Sequence, residues 1–411
     1  MILTEKQVVN KNDPRHEQLL ELTRLSKNLY NASLYDKRQH YFATKKHKSW
    51  QTQSTEFVKD KNPDYYKLPT KLSKCTIEAV DKGFQSFFSL LKKKQSGKYD
   101  KPVRLPGYLP KDGHYQVIVP VDAVSKKPVK DGDVYTHTIC KQSLNIKIKS
   151  KIEKPRQVRF HYNGAHIIIS VLYEVDNVPE LPDNGKHAAI DIGVDNLATV
   201  VTNVGTQPLL FNGKAVKSVN QFFNKRRADL QSQLRGEVKS SHRLKRLSRK
   251  RDARIDWLLH NTSTSIVNHL VFNDVRTLVI GYNKEWKQDI NIGRVNNQKF
   301  VGVPFLKLVE QLEYKCALHG IRVILHEESY TSKCSFLDRE RVCKHDSYVG
   351  RRVKRGLFRA SGGRFINADV NGAFNIMRKV VPEELVYFNG VEDYAVNPLR
   401  VDVNSHKYRL S

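Results

Sequence analysis

The period of the apolar residues changes twice along this chain of 411 residues, and no single packed layer accommodates every pattern. "MILTEKQVVN" reads as one strand, and Asp13-Pro14 as the N-cap and first residue of a helix. Leu19, Leu22, Leu25, Leu29 and Ala32 then recur at helical spacing. A second helical stretch, from about Leu72 to Lys94, sets Phe84, Phe87, Phe88 and Leu91 on one face. Both stripes fit ordinary helix core better than a base-stacking surface. A basic loop rich in Gly and Pro, residues 92–113, ends this region. From 114 to 175 the period is two, and Asn163-Gly164 between two strand-like runs is a hairpin signal. These strands are expected to form a small β-barrel, followed by a linker over 176–186.

A third pattern begins at 188. "AAIDIGVDNLATVVTNVGTQPLLFN" reads as three short strands, followed by a long helical stretch over roughly 215–272. "TLVIG" (277–281) is a strand, and "PFLKLVEQLEYKCALHG" (304–320) an amphipathic helix closed by Gly320. "IRVIL" (321–325) is a strand suited to a sheet core, and "ADVNGAFNIMRKV" (368–380) a helix; the tail after 381 has no clear period. Alternating strands and helices make this an α/β domain.

Charge narrows the partner. Seventy-one Lys and Arg against 42 Asp and Glu give +29, far beyond what solubility needs, and favour a polyanion such as DNA or RNA. Fourteen Lys or Arg and three acids lie between Lys214 and Arg254. Arg226, Arg227, Arg243, Lys245, Arg246, Arg249, Lys250 and Arg251 are therefore the candidate phosphate contacts, the plainer alternative being a solvated helix face. The five cysteines are scattered and odd in number, which argues against a disulfide framework and for a reducing compartment. No apolar run suits a membrane span or a signal peptide, so a cytoplasmic, nucleoid-associated location without a membrane partner is expected.

Four carboxylates, Asp191, Asp369, Glu327 and Glu328, lie at or near the ends of these elements. Asp191 lies inside an apolar strand, where an acid is costly unless paired or bound to a metal. Asp369 opens a helix, which a simple N-cap would also explain. Glu327 and Glu328 follow the strand at 321, where a solvated strand end is the ordinary reading. Together, an acid on the first strand and another on a late helix follow the plan of an RNase H-like nuclease. That chemistry needs three carboxylates around two divalent ions, Mg²⁺ or Mn²⁺, and Mg²⁺ prefers hard oxygen ligands.

At these residues the chain resembles TnpB, the transposon-associated RNA-guided nuclease family related to type V CRISPR effectors and to Fanzor proteins. "AIDIGVDNLATVVTN" is similar to the first RuvC motif and "NADVNGAFNIMRKV" to the third; "FLKLVEQLEYKCALHG" matches the helix between the second and third motifs, and "TSKCS" the start of the zinc ribbon. The resemblance spans nearly the whole chain and rests on the joint order and spacing. It implies an α/β multidomain fold: a RuvC (RNase H-like) nuclease domain plus a wedge β-barrel with an inserted helical recognition domain. The implied divisions are 1–12 and 99–184 for the barrel, 13–98 for the helical domain, 185–382 for RuvC with a degenerate zinc ribbon at 329–368, and 383–411 as a tail. It implies Asp191 and Asp369 as metal-binding catalytic aspartates with Asn371 in support, a guide RNA from the transposon end, and a double-stranded DNA target read by base pairing.

Two departures from the family pattern follow. Where many members carry a Glu after the "IIG"-like strand, this chain has Asn283, a neutral and poor Mg²⁺ ligand. Glu328, at the end of the next strand, is expected to replace it, from a strand two places, roughly 9.6 Å, from that of Asp191 at about 4.8 Å per step. Alternation sends Glu327 and Glu328 to opposite faces, and the Fanzor-like branch carries its Glu at the position of Glu328. In the ribbon, Cys334, Cys343 and His345 remain, with Asp338 an unusual fourth, while "GLFRASGGRF" replaces the second cysteine pair. Zinc is therefore not expected, since a closed site needs about four N or S ligands. A nuclease-dead RNA-guided repressor, which Asn283 favours, and a guide-independent transposase are the alternatives.

Overall fold

The computed structural model describes residues 1–236, 238, 240–283, 301–387 and 390–403. The chain divides into two compact units, Met1–Asp176 and Asn177–Ser411.

The first unit runs β1 (Ile2–Val9), α1 (His16–Thr44), α2 (Trp50–Lys59), α3 (Pro63–Tyr66), α4 (Thr70–Gln95), β2 (Val117–Pro120), β3 (Val129–Asp131), β4 (Val134–Ile139), β5 (Ile146–Ser150), β6 (Gln157–Tyr162) and β7 (Ile167–Glu174). Its strands form two antiparallel sheets, β1-β7-β6-β2 and β3-β4-β5, rather than one continuous ladder among the described residues. The first strand of the chain closes onto the last of the unit, Ile2 opposite Glu174. Leu19, Leu22 and Leu29 of α1 and Ile77 of α4 share one core with Val117, Phe160 and Ile169. Helices and sheets here are thus one packed body. The first helix starts later than Asp13-Pro14 suggests. Asp13 accepts from the Arg15 backbone N–H and guanidinium, closing a turn ahead of α1.

The second unit contains β8 (His187–Asp191), β9 (Asn196–Thr202), β10 (Leu209–Asn212), α5 (Lys214–Ser232), α6 (His242–Phe272), β11 (Thr277–Gly281), α7 (Phe305–Ala317), β12 (Arg322–His326), β13 (Arg351–Lys354), β14 (Leu357–Arg359), β15 (Phe365–Asn367), α8 (Ala368–Arg378), α9 (Glu383–Val386), α10 (Val391–Val396) and β16 (Leu399–Val401). Six strands form one mixed sheet in the order β12-β11-β8-β9-β10-β16. β11 runs parallel to both β8 and β12, and β9 antiparallel to β8. Alternation divides the side chains of β8 between two cores. Ala188 and Ile190 pack with Leu259 and Ile266 of α6 and Leu308 and Leu312 of α7. Ala189 faces the other way, against Val370, Phe374 and Met377 of α8. Burying side chains of that size contributes about 1.5–3 kcal/mol each, so α8 is firmly seated. Asp191, two positions after Ala189, shares its face and so points towards α8.

Three features of this unit differ from the sequence expectation. The long helix over 215–272 is two helices; Gly236 takes a positive φ of 59°, and Ser241 caps α6 by accepting from the Leu244 N–H. The strand expected in a sheet core, β12, is an edge strand with Leu325 41% exposed. Among the described residues it has a partner on one side only, and its apolar run reads the same in either position. The tail without a period returns to the sheet, where β16 pairs parallel to β10.

Candidate active site

The acidic residues gather where β8, β11 and β12 end side by side. Asp191 is the last residue of β8, and Glu328 lies two residues beyond β12. Asp369 is the second residue of α8, and it does not cap the helix. Asn367 is the N-cap, accepting from the backbone N–H groups of Asp369 and Val370. That leaves the Asp369 carboxylate available for other contacts. Its Oδ2 accepts from the Asn196 amide at 2.8 Å, and its Oδ1 from Arg352 at 3.2 Å.

Two glycines make the approach possible. A Cβ on Gly372 would lie 2.7 Å from Asp191 Oδ2, so α8 sits directly against that carboxylate. A Cβ on Gly281, at the end of β11, would lie 2.9 Å from Glu328 Oε2 and 2.5 Å from Ile376 Cδ1. Glu328 therefore reaches back across the end of the middle strand through space that any other residue would fill. Asp369, Gly372 and Ile376 recur three and four positions apart, one stripe of α8 facing the strand ends.

Asn283 occupies the position just beyond β11. Its amide donates to Glu328 Oε1 at 3.2 Å, and its carbonyl oxygen accepts from the Glu328 backbone N–H at 3.4 Å. The neutral residue thus orients the acid. Glu327 turns outward, exposed, accepting from Ser329 at 2.7 Å with Lys379 at 3.7 Å; these contacts hold its carboxyl below the usual range.

Electrostatics tie Asp191 to both other acids. Its carboxyl is pushed well above the ordinary aspartate range, first by burial, then by the charges of Glu328 and Asp369, with Arg352 opposing. Among the described residues no group of three or more His, Cys, Asp or Glu is drawn together closely enough to hold a metal as it stands. The outer acids are held by Asn283, Asn196 and Arg352 instead. The donor set nonetheless suits a hard divalent cation: two carboxylates act on a third, Asp191, and destabilise its charged form. A cation there would reverse the penalty.

Asn371 is buried but faces away from the acids. It accepts from the Phe336 N–H at 2.9 Å and donates to the Cys334 carbonyl at 2.8 Å; Asn375 donates to the same carbonyl at 2.7 Å. Both clamp the segment after Glu328 onto α8. Phe336 stacks on Phe374 and Tyr387, with ring centroids 4.2 and 5.0 Å apart. In this same region Cys334 Sγ donates to the Cys343 carbonyl at 3.5 Å, and Cys343 Sγ lies 3.4 Å from His345 Nε2. Asp338 is engaged by Ser361 and Arg364.

The basic helices are placed as a hairpin. Arg226, Arg227, Arg243, Lys245, Arg246 and Lys250 are exposed, and Arg249 is half-buried. Four of them, Arg226, Arg243, Arg246 and Lys250, line a groove of about 340 Å³ floored by Leu230 and Leu247. Arg251 is engaged in packing, donating to Asn220 at 2.8 Å and to the Gly302 carbonyl at 2.7 Å, above the Phe223 ring. Sequence reasoning missed Asn196, Arg352 and the two glycines. Asn196 and Gly372 lie inside the first and third motifs, but nothing local marks the contact that any of the four makes.

Residues 170–287 match a family model described as a probable transposase, OrfB of the IS605 type. Residues 305–376 match the Cas12f1-like TNB domain. Together with the curated relatives, these matches support a TnpB-like, IS605-type relationship with a Cas12f-like domain. The TnpB-like protein ORF457 of Acidianus two-tailed virus is 27% identical over 412 aligned positions, covering 90% of this chain and 85% of that protein. The CRISPR-associated endodeoxyribonuclease Cas12f2 of Micrarchaeota archaeon (strain CG1_02_47_40) is 31% identical over 223 positions, 49% of this chain and 39% of that protein. Among solved structures, a Cas12f1-sgRNA-target DNA complex aligns over 91% of this chain and 98% of that chain, at 15% identity and a TM-score of 0.38. A CRISPR-Cas12f ternary complex aligns over 88% and 81%, at 13% and 0.37.

Proposed function

We propose that this chain is an RNA-guided DNA endonuclease of transposon origin, TnpB-like, in which Asp191, Glu328 and Asp369 form a RuvC-type site and Glu328 stands in for the acid absent at Asn283, as in the Fanzor-like branch. The observation that carries this reading is the convergence of acids remote in sequence at the strand ends: Asp191 lies against Gly372 of the helix that carries Asp369, and Glu328 lies across Gly281 at the end of the strand beside that of Asp191. The +29 charge and the basic α5–α6 groove support a guide RNA and a DNA duplex as partners. The barrel, helical and RuvC divisions and the cytoplasmic, nucleoid-associated location belong to the same reading.

The three carboxylates would hold the divalent ions, Mg²⁺ or Mn²⁺, which supply nucleophile activation and leaving-group stabilisation for in-line phosphodiester hydrolysis. The chain's own residues prepare that site. Gly281 and Gly372 admit the carboxylates, Asn283 aims Glu328, and Asn196 fixes one oxygen of Asp369. Asn371 and Asn375 hold the segment that carries Glu328 onto the helix that carries Asp369.

A nuclease-dead repressor is the second reading, favoured by Asn283 and by the ion pair that occupies Asp369. Coexpression with the flanking locus separates the two. The copurified RNA is sequenced, and DNA matching it is offered with Mg²⁺ or with EDTA. Cleavage in Mg²⁺ alone supports the nuclease; tight binding without cleavage supports the repressor; no bound RNA defeats both.

A further inference from the structure

The β13–β14 hairpin bears Arg351, Arg352, Lys354, Arg355 and Arg359 on nine residues of chain. It meets the acidic strand ends through two ion pairs. Arg352 Nη2 lies 3.2 Å from Asp369 Oδ1, and Arg355 pairs with Asp195, the neighbour of Asn196. A cleft of about 720 Å³ lies between this hairpin and the turn joining β8 to β9, lined by six Lys or Arg and two Asp.

The two oxygens of Asp369 are held differently. Oδ2 is fixed by the neutral Asn196 amide at 2.8 Å, a bond compatible with a cation on the opposite oxygen. Oδ1 is held by a guanidinium whose side chain is 48% exposed, against 26% for Asp369. An ion pair so open to water is weak and easily exchanged. A guanidinium and a divalent cation repel each other and compete for that oxygen.

We propose that Arg352 is the exchangeable counter-ion of Asp369: it holds Oδ1 in the cation-free protein and yields it when a divalent cation binds, so the hairpin governs how readily the site is loaded. This rests on the reading of the three carboxylates as a metal site.

The test is Mn²⁺ binding to the full chain, freed of nucleic acid, followed by the electron paramagnetic resonance of free Mn²⁺. Arg352→Gln should tighten the site lost in Asp191→Asn by about threefold to fivefold, and Arg352→Lys should stay within about twofold of wild type. Arg355→Gln, which removes a charge from the same hairpin but not from Asp369, should also leave it within about twofold. In an Asp369→Asn background the gain from Arg352→Gln should vanish. Unchanged or weaker binding by Arg352→Gln overturns the inference, as does a gain that survives Asp369→Asn, since a surviving gain would be an effect of general charge. A wild type with no Asp191-dependent Mn²⁺ site overturns the metal reading itself, and this inference with it.

Discussion

Gly281→Ala isolates the route by which Glu328 reaches the site. The added methyl would stand 2.5 Å from Ile376 Cδ1 and 2.9 Å from Glu328 Oε2, where carbon atoms ordinarily keep about 3.5–4.0 Å. Ile376 is buried in the core beneath α8, so relief has to come from repacking or from Glu328 moving out. Overpacking of this kind costs about 1–3 kcal/mol, which for a unit of this size lowers Tm by roughly 2–12 °C. A displacement of about 1 Å in a metal-binding carboxylate should reduce cleavage by around 100-fold. The two effects separate in the double variant Gly281→Ala/Ile376→Val, which removes the Cδ1 atom but leaves the clash with Glu328. Its Tm should recover above that of Gly281→Ala while cleavage stays low. Thermal denaturation and cleavage of guided DNA are measured together, at a temperature where every variant is folded. If Gly281→Ala cleaves within about twofold of wild type while Glu328→Ala is inactive, Glu328 does not act across the end of β11, and the reasoning fails.

Three other outcomes follow from the same geometry. Asp191→Asn should stabilise the metal-free protein at neutral pH by about 1 kcal/mol, because the folded state raises the Asp191 carboxyl well above 3.8. Native-state stabilisation by the protonated acid is full below that value and is lost as pH rises through the folded-state value. The advantage of Asn in denaturant melts should therefore grow with pH and disappear below about 3.8; an advantage constant with pH would contradict it. Replacing Arg243, Lys245 and Arg246 together by Ala should flatten the salt dependence of RNA retention by about one unit of slope per lost phosphate contact; an unchanged slope would remove the α5–α6 groove from the interface. Metal analysis of the purified protein should find no stoichiometric zinc, whereas about one zinc per chain, lost in Cys334→Ser, would show that the Cys334–Cys343–His345 region closes a site after all.

Periodicity made most of this architecture legible. The three strands after 186, the helix at α7 and the helix bearing Asp369 each repeat at the spacing their elements require. Asp191 and Glu328 stood out for a physical reason: charges beside apolar strands are costly, so their presence asks for a partner. What stayed hidden depends on tertiary pairing. β12 is an apolar run whether it lies in the centre or at the edge of the sheet, and its position is decided by what pairs beside it. β16 is only three residues long and takes its conformation from β10 rather than from its own pattern. Asn283 read as a vacated position because the acid it orients is 45 residues away. Gly281 is only the last residue of a strand pattern and Gly372 one residue of a helix pattern; their role lies in what they omit beside a remote carboxylate. Arg352 was one cation in a basic run, and only the fold of the hairpin singles it out.

The most direct measurement compares Glu328→Gln with Glu327→Gln for binding and cleavage of DNA matched to the copurified RNA, in Mg²⁺. Both variants remove one charge, but Glu328 faces Asn283 and the acidic cluster, whereas Glu327 lies outside with Ser329 and Lys379. The account predicts that both bind as wild type does, that Glu327→Gln cleaves normally, and that Glu328→Gln does not cleave. Cleavage by Glu328→Gln at the wild-type rate, or a wild type that binds matched DNA tightly without cutting it, would contradict it.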